Sequence, residues 1–347
     1  MGTLLSYSGI STKIRAMKSK LIGDAELEEI IQLTDVPQVI AYLMRTPEFS
    51  HIWSSLDENS LHRGDVEILL RQSIFSDFSR LYNFANGEQR RFLELYAKGY
   101  EIRILKELLT RLFDHQNTDP VNLAPYEDFF QKHSKLDLEK LSLCTTMQEF
   151  LDNLKGNEFY RPLKRMQNGQ APTLFDYSMA LDLYYFTLIW NVRKKLFRGK
   201  DLEELTRTYG EQFDLLNLQF IQRSRVYFRM RPEEIYSLLI SVNYKLSKYD
   251  IQALVETEPL EQARQYYDRT YYGKRHARLP EMTLEEFYNH TLRSILEKEA
   301  RENPHSVAIL FSYMYHKEHE IDRLTTAIEC VRYGISPSEA MRYIRNN

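Results

Sequence analysis

The sequence predicts an all-α protein, and three observations carry that reading. Valine is sparse and strict apolar–polar alternation is hard to find, while Leu, Glu, Lys, Arg and Gln dominate the long segments, a composition that favours helix. Within residues 91–113, Leu95, Ile102, Leu105, Leu109 and Leu112 fall on one 3.6-residue stripe with charges opposite. The same helical patterns also recur along the chain, the mark of repeated supersecondary units.

The longest recurring helix carries a Tyr, an acid five residues on and a Leu four beyond that. Its copies are Tyr96-Glu101-Leu105, Tyr209-Asp214-Leu218 and Tyr315-Glu320-Leu324. Each acid is followed by Ile102, Leu215 or Ile321, and the apolar stripe continues at Leu109, Ile221 and Ile328.

A second helix recurs in 33–49, 143–159 and 256–272, which align without gaps at offsets of 110 and 223 residues. Asp35 with Gln38 and Thr145 with Gln148 form capping boxes, in which a short oxygen side chain accepts from an orphan N–H and the residue three on reaches back. In the third copy Glu258 and Glu261 occupy those places, and Thr257 is the better cap. Further on, Gly334 suits the stop of one helix, and Ser336-Pro337 with Glu339 starts the last. Two helices recurring in the same order at about 110 residues predict three homologous helical bundles, near 1–115, 116–230 and 231–347. Their junctions fall in the polar stretch 114–125 and around Pro232.

Most chemistry is excluded by the residues present. With 12 glycines, no two of them one residue apart, the 347-residue chain contains neither GxGxxG nor GxxxxGK[ST] and so no glycine-rich phosphate cradle. Cys144 and Cys330, its two cysteines, make no disulfide framework or four-ligand zinc knuckle, and both read as small core residues within helices. GxSxG is absent. The longest apolar stretch, Tyr184 to Trp190, is far short of the ~20 residues that span a bilayer. A net charge of −3 gives no general attraction to nucleic acid.

Candidate sites remain. His316 and His319 sit three apart, whereas zinc-hydrolase helices need histidines four apart with a glutamate base, so no metal site is expected. The repeated acids Glu101, Asp214 and Glu320 lie inside helices beside apolar residues, which calls for pairing with a neighbour such as Arg103 or Arg323, or for a polar lumen. Two basic stretches carry interleaved aromatics. Phe220 to Arg231 holds Arg223, Arg225, Arg229 and Arg231 with Tyr227 and Phe228; Arg264 to Arg278 holds five cations with Tyr266, Tyr267, Tyr271 and Tyr272. Such runs suit single-stranded nucleic acid, an acidic protein partner or a membrane face.

Lys13 to Met17 (Lys-Ile-Arg-Ala-Met), Asp214-Leu-Leu-Asn217-Leu218, Tyr315 to Ile321 (Tyr-x-Lys-Glu-x-Glu-Ile) and the three-copy plan together resemble the C subunit family of V-type (A/V-type) rotary ATPases, which is similar to the d subunit of the eukaryotic enzyme. The resemblance covers the whole chain. It implies a funnel-like, all-helical socket of three similar units with pseudo-three-fold symmetry, on the cytoplasmic face of the membrane. There it would receive the central shaft, made of the D and F subunits, and sit on the rotor ring, linking ATP hydrolysis or synthesis to proton or sodium transport. It implies no catalysis, no cofactor, no nucleic acid, no membrane span and a monomer in isolation. The family often has Asn three residues after the acid; this sequence keeps Asn217 but has Ile104 and Arg323, so the three copies need not present the same polar groups. Arg264, Arg269, Lys274 and Arg275 are the expected ring or shaft contact. The rival reading is a stand-alone helical-repeat module binding RNA or a protein.

Overall fold

A computed structural model describes residues 2–50, 63–114, 123–167 and 171–346. Those residues are helical in 77% and contain no strand, as the sequence predicts. Chain contacts divide the molecule into two compact units: Met1–Leu93 with Asn122–His133 and Glu299–Asn347, and Glu94–Val121 with Ser134–Lys298.

In the first unit, α1 (Gly2–Lys18), α2 (Asp24–Ile30), α3 (Val36–Arg45), α4 (Arg63–Phe84) and the start of α5 (Gly87–Phe113) are joined by α6 (Ala124–His133) and, from the far end of the chain, α17 (Val307–Arg332) and α18 (Pro337–Asn346). α17 is the central rod. Val307, Leu310, Tyr313, Met314, Leu324 and Ala327 on it are fully buried, too many for a single stripe, as expected of a helix enclosed on most sides. Ser306 caps it by accepting from the Ala308 N–H, and it stops at Gly334, whose φ of 62° is the left-handed conformation glycine adopts without a Cβ penalty. Between α4 and α6, Phe75, Phe78, Phe129 and His133 pack ring against ring at 4.9–5.5 Å.

The second unit holds the rest of α5, then α7 (Leu138–Ser142), α8 (Met147–Asn153), α9 (Tyr160–Met166), α10 (Leu174–Leu196), α11 (Gly199–Val226), α12 (Pro232–Leu238), α13 (Lys248–Glu256), α14 (Leu260–Arg269), α15 (Tyr271–His276) and, up to Lys298, α16 (Leu284–Glu302). One core gathers Leu215, Leu218 and Ile221 of α11 with Ile235, Ile251, Leu254, Tyr272 and Phe287. The turn from α14 into α15 is built by Thr270. Its hydroxyl donates to the Tyr267 carbonyl at 2.7 Å and accepts from the Gly273 N–H at 3.0 Å. The backbone approaches so closely there that any Cβ on Gly273 would collide with the Tyr267 carbonyl, a contact no rotamer relieves.

Both recurring helices are present. The long one is α5, α11 and α17; the shorter one is α3, α8 and α14. Their caps differ from the expected ones. Asp35 does cap α3, accepting from Gln38 N–H at 2.9 Å, but the Gln38 side chain reaches the Thr34 N–H and not that of Asp35, so the expected box does not close. In the second copy the cap is one residue later, Thr146 with Glu149, because the Glu149 carboxylate reaches back to the amides of both Thr145 and Thr146. In the third, Pro259 starts the helix without a side-chain cap, and Thr257 ends α13 instead. Cys330 is buried in α17 as expected, but Cys144 lies half-buried in the turn between α7 and α8. The junction expected at 114–125 falls mostly outside the described residues.

Candidate functional site

Each of the three repeated acids is buried, and each fastens the loop that enters a short helix. Glu320 accepts from the Ile22 N–H at 2.6 Å, immediately before Gly23, the N-cap of α2. Asp214 accepts from the N–H groups of Tyr244, Lys245 and Leu246 at 3.2, 2.6 and 3.0 Å, immediately before Ser247, the N-cap of α13. Glu101 does the same through a relay: it accepts from the Ser134 hydroxyl at 2.5 Å, which accepts from the Leu136 N–H at 3.1 Å, just before Asp137, the N-cap of α7. Helix-entry amides have no partner within their own helix, and a carboxylate from the long rod supplies one.

Neither Arg103 nor Arg323 is the counter-ion expected from the sequence. Arg103 lies over the Tyr100 ring at 5.8 Å, and Arg323 pairs with Asp24. The cation comes instead from one turn earlier in the same helix. Lys98 bridges Glu101 and Glu158, both at 2.7 Å, and Lys317 bridges Glu320 at 2.8 Å and Glu48 at 2.9 Å. Next to those glutamates, fully buried Phe159 and Phe49 set their rings beneath the ammonium groups at 5.9 and 4.9 Å. At Asp214 the cation is absent from that place: Glu211 occupies it and pairs outward with Arg275 at 2.7 Å, while the buried Tyr272 hydroxyl donates to Asp214 at 3.0 Å. Asn217 is fully buried and holds both the N–H and the carbonyl of Ile240, at 2.8 and 3.0 Å. Ile104 and Arg323 at the matching places do nothing equivalent, so the acids share a role and the residues three beyond them do not.

Burial pushes Glu101, Asp214 and Glu320 upward from the ordinary carboxylate range, opposed by Lys98, by the three loop amides and by Lys317 respectively. Each is engaged by two donors or more, Asp214 by four. What the arrangement does chemically is hold backbone in place.

Lys317 also lies 3.8 Å from Asp77, which accepts from the Tyr313 hydroxyl and from Arg80 at 3.3 Å. Burial, reinforced by Glu48 and opposed by Lys317, Tyr313 and Arg80, raises Asp77 to about 6. A raised carboxylate binds a proton in the native state that the unfolded chain has already released, so its share of stability falls as pH rises between about 4 and 6. Asp77→Asn is therefore expected to remove on the order of 2 kcal/mol of the stability difference between pH 4 and pH 7. Urea melts of both proteins across that range check it; parallel curves would refute it.

The expected contact residues divide. Arg264, Arg269 and Lys274 are exposed, whereas Arg275 is half-buried and committed to Glu211. Of the neighbouring basic stretch, Arg225 is spent internally, donating to the carbonyls of Leu254 and Thr257 and to Glu258, and Arg223 pairs with Glu285 at 2.8 Å. Beside them α11, α14 and α16 leave a groove of about 840 Å³ lined by Leu218, Ile221, Leu254, Tyr267, Met282 and Leu284. Among the described residues no group of three His, Cys, Asp or Glu is placed to hold a metal, and no helix is long and apolar enough to cross a membrane.

The family model for the ATP synthase (C/AC39) subunit matches residues 10–343, all but the extreme ends of the chain. The chain belongs to that family. Among curated relatives, the A-type ATP synthase C subunit of Methanocaldococcus jannaschii is 21% identical over 97% of this chain and 85% of its own. That of Methanosarcina mazei is 24% identical over 95% and 90%, and that of Thermococcus kodakarensis 20% over 97% and 90%. As a C/AC39 subunit it is a component of a rotary ATPase and not a catalyst in its own right.

The residues that sequence reasoning missed in this C/AC39 subunit left signals all the same. Lys98 and Lys317 both stand three before a repeated acid, and the first two short segments both end in Glu-Phe, at Glu48-Phe49 and Glu158-Phe159.

Proposed function

We propose that this C/AC39 subunit is the non-catalytic socket of the central stalk: it receives the shaft formed by the D and F subunits and bears on the membrane rotor ring at the cytoplasmic face, so that ATP hydrolysis or synthesis is linked to proton or sodium transport. The observation that carries the reading is the family match over residues 10–343. The internal architecture supports it. A torque-bearing element has to be stiff, and α5, α11 and α17, with 27, 28 and 26 residues, are rods of about 40 Å fixed by close packing and by the buried acids. We further propose that the chain is built as three homologous units near 1–115, 116–230 and 231–347, each carrying one copy of the acid-bearing rod.

Arg264, Arg269 and Lys274 are the cations on the α14–α15 hairpin free to meet the shaft or ring; Arg275 serves the interior. Changing those three to Glu in a reconstituted complex is expected to reduce ion transport per ATP hydrolysed by at least about tenfold, several reversed interface charges each being worth about 1 kcal/mol or more. Undiminished coupling would remove this surface from the proposal. A gel shift with mixed RNA at physiological salt is expected to show no complex, and tight binding would favour the rival RNA-binding module.

A further inference from the structure

The three buried acids are equivalent, but their surroundings are written in two charge codes. In the first code the rod carries Lys one turn before the acid, and the short repeated segment seated on it ends in Glu-Phe; this is Lys98 and Glu101 with Glu158-Phe159, and Lys317 and Glu320 with Glu48-Phe49. In the second the rod carries Glu211 before Asp214, and the segment ends in Tyr271-Tyr272 with Arg275 one turn on. The changes are compensatory. Where the rod loses its cation the segment loses its anion and gains an arginine.

The pairing order also follows a rule. Each rod takes the short segment of the repeat that follows it in sequence: α5 takes residues 158–159 and α11 takes 271–272, both inside the second unit. α17, the last of the three rods, takes residues 48–49, 269 positions back along the chain and inside the first unit. Three rods and three short repeated segments offer several wrong pairings; the apolar residues seated against the rods already differ, with buried Ile40, Phe150 and Ala263 at one aligned position, and charge adds to that discrimination.

Charge discriminates strongly. A Glu-Phe segment seated on α11 would bring its glutamate to Glu211 and Asp214, three carboxylates with no rod cation among them. The Tyr-Tyr segment seated on α5 or α17 would set Arg275 beside Lys98 or Lys317. The first arrangement buries like charge without a partner, and the second crowds two cations onto one acid. We propose that the residue one turn before each repeated acid (Lys98, Glu211, Lys317) and the residue it pairs with (Glu158, Arg275, Glu48) form a pairing code that assigns the short repeated segments to rods, Tyr271 standing at the aligned place of the two glutamates. They act as positioning residues through the acids, which do the fastening. The two lysine rods share a code, and Asp77 with Tyr313 adds a mark that α5 lacks, since Glu94 stands at the position matching Tyr313.

The test converts one code into the other. Glu211→Lys sets a lysine beside Arg275 and is expected to speed amide exchange at Tyr244, Lys245 and Leu246, the N–H groups held by Asp214, by about tenfold or more. The Tyr271 ring lies 5.3 Å from Arg275 and 5.7 Å from Lys245, so Tyr271→Glu alone competes with Glu211 for Arg275 and is expected to speed the same exchange severalfold. Together the two changes recreate the Lys–Glu code on α11, and exchange is expected to return to within about threefold of the unchanged chain. The readout is hydrogen exchange by mass spectrometry on the full-length protein, with helicity followed by circular dichroism. A single variant that unfolds while the double variant folds supports the code. Single variants that exchange like the parent, or a double variant no better than the worse single, overturn it.

Discussion

Lys317→Met is expected to destabilise the first unit by about 3–5 kcal/mol, because it leaves Glu48, Glu320 and Asp77 buried without their shared cation. Lys317 is itself 0% exposed, and its three carboxylates are 1–3% exposed. Burial by itself would lower the Lys317 pKa, and Glu320, Asp77 and Glu48 more than reverse that, so the group stays charged in the folded state at every pH below its ordinary range. Lys98→Met provides the comparison. Lys98 occupies the same place before Glu101 but its side chain is 26% exposed, so water takes over part of its work and the expected cost is about 1 kcal/mol. Urea unfolding of the two variants checks the difference; equal losses would mean that the buried ion cluster carries no special weight.

Asp214→Ala is expected to cost about 4 kcal/mol, since it strips the acceptor from three loop amides and from the Tyr272 hydroxyl at once, each orphaned donor costing about 1–3 kcal/mol less whatever water regains. Asp214→Asn should lose roughly half as much. One amide oxygen can still face Lys245, Leu246 and Tyr272, but its NH2 then confronts the Tyr244 N–H. Calorimetry of the pair reads both numbers. A neutral Asp214→Ala would show that the loop before α13 is held by packing alone.

The helical class and the three long rods are legible in the sequence because a 3.6-residue stripe and Leu-rich composition are local signals, and α5, α11 and α17 each span their repeated motif. The caps are harder. Thr145 and Thr146 are adjacent and either satisfies the same pattern, so the choice rests on where Glu149 reaches; Pro259 removes the third cap altogether. The partners of the acids lie beyond local reach, since Ser134 is 33 residues from Glu101 and Ile22 is 298 residues from Glu320. Its place in a basic run makes Arg275 look like a surface cation, yet the acid that claims it, Glu211, is 64 residues away. The repeated acid can be found from one sequence; its cation and its loop need the fold.

The most direct test of the function is the number of ions moved per ATP hydrolysed by complexes rebuilt with and without this chain. Without it, hydrolysis by the head is expected to continue while ion movement falls to background, and adding the chain back is expected to restore the ratio. An unchanged ratio in its absence, or ATP turnover by the isolated chain, would contradict the role as a non-catalytic socket.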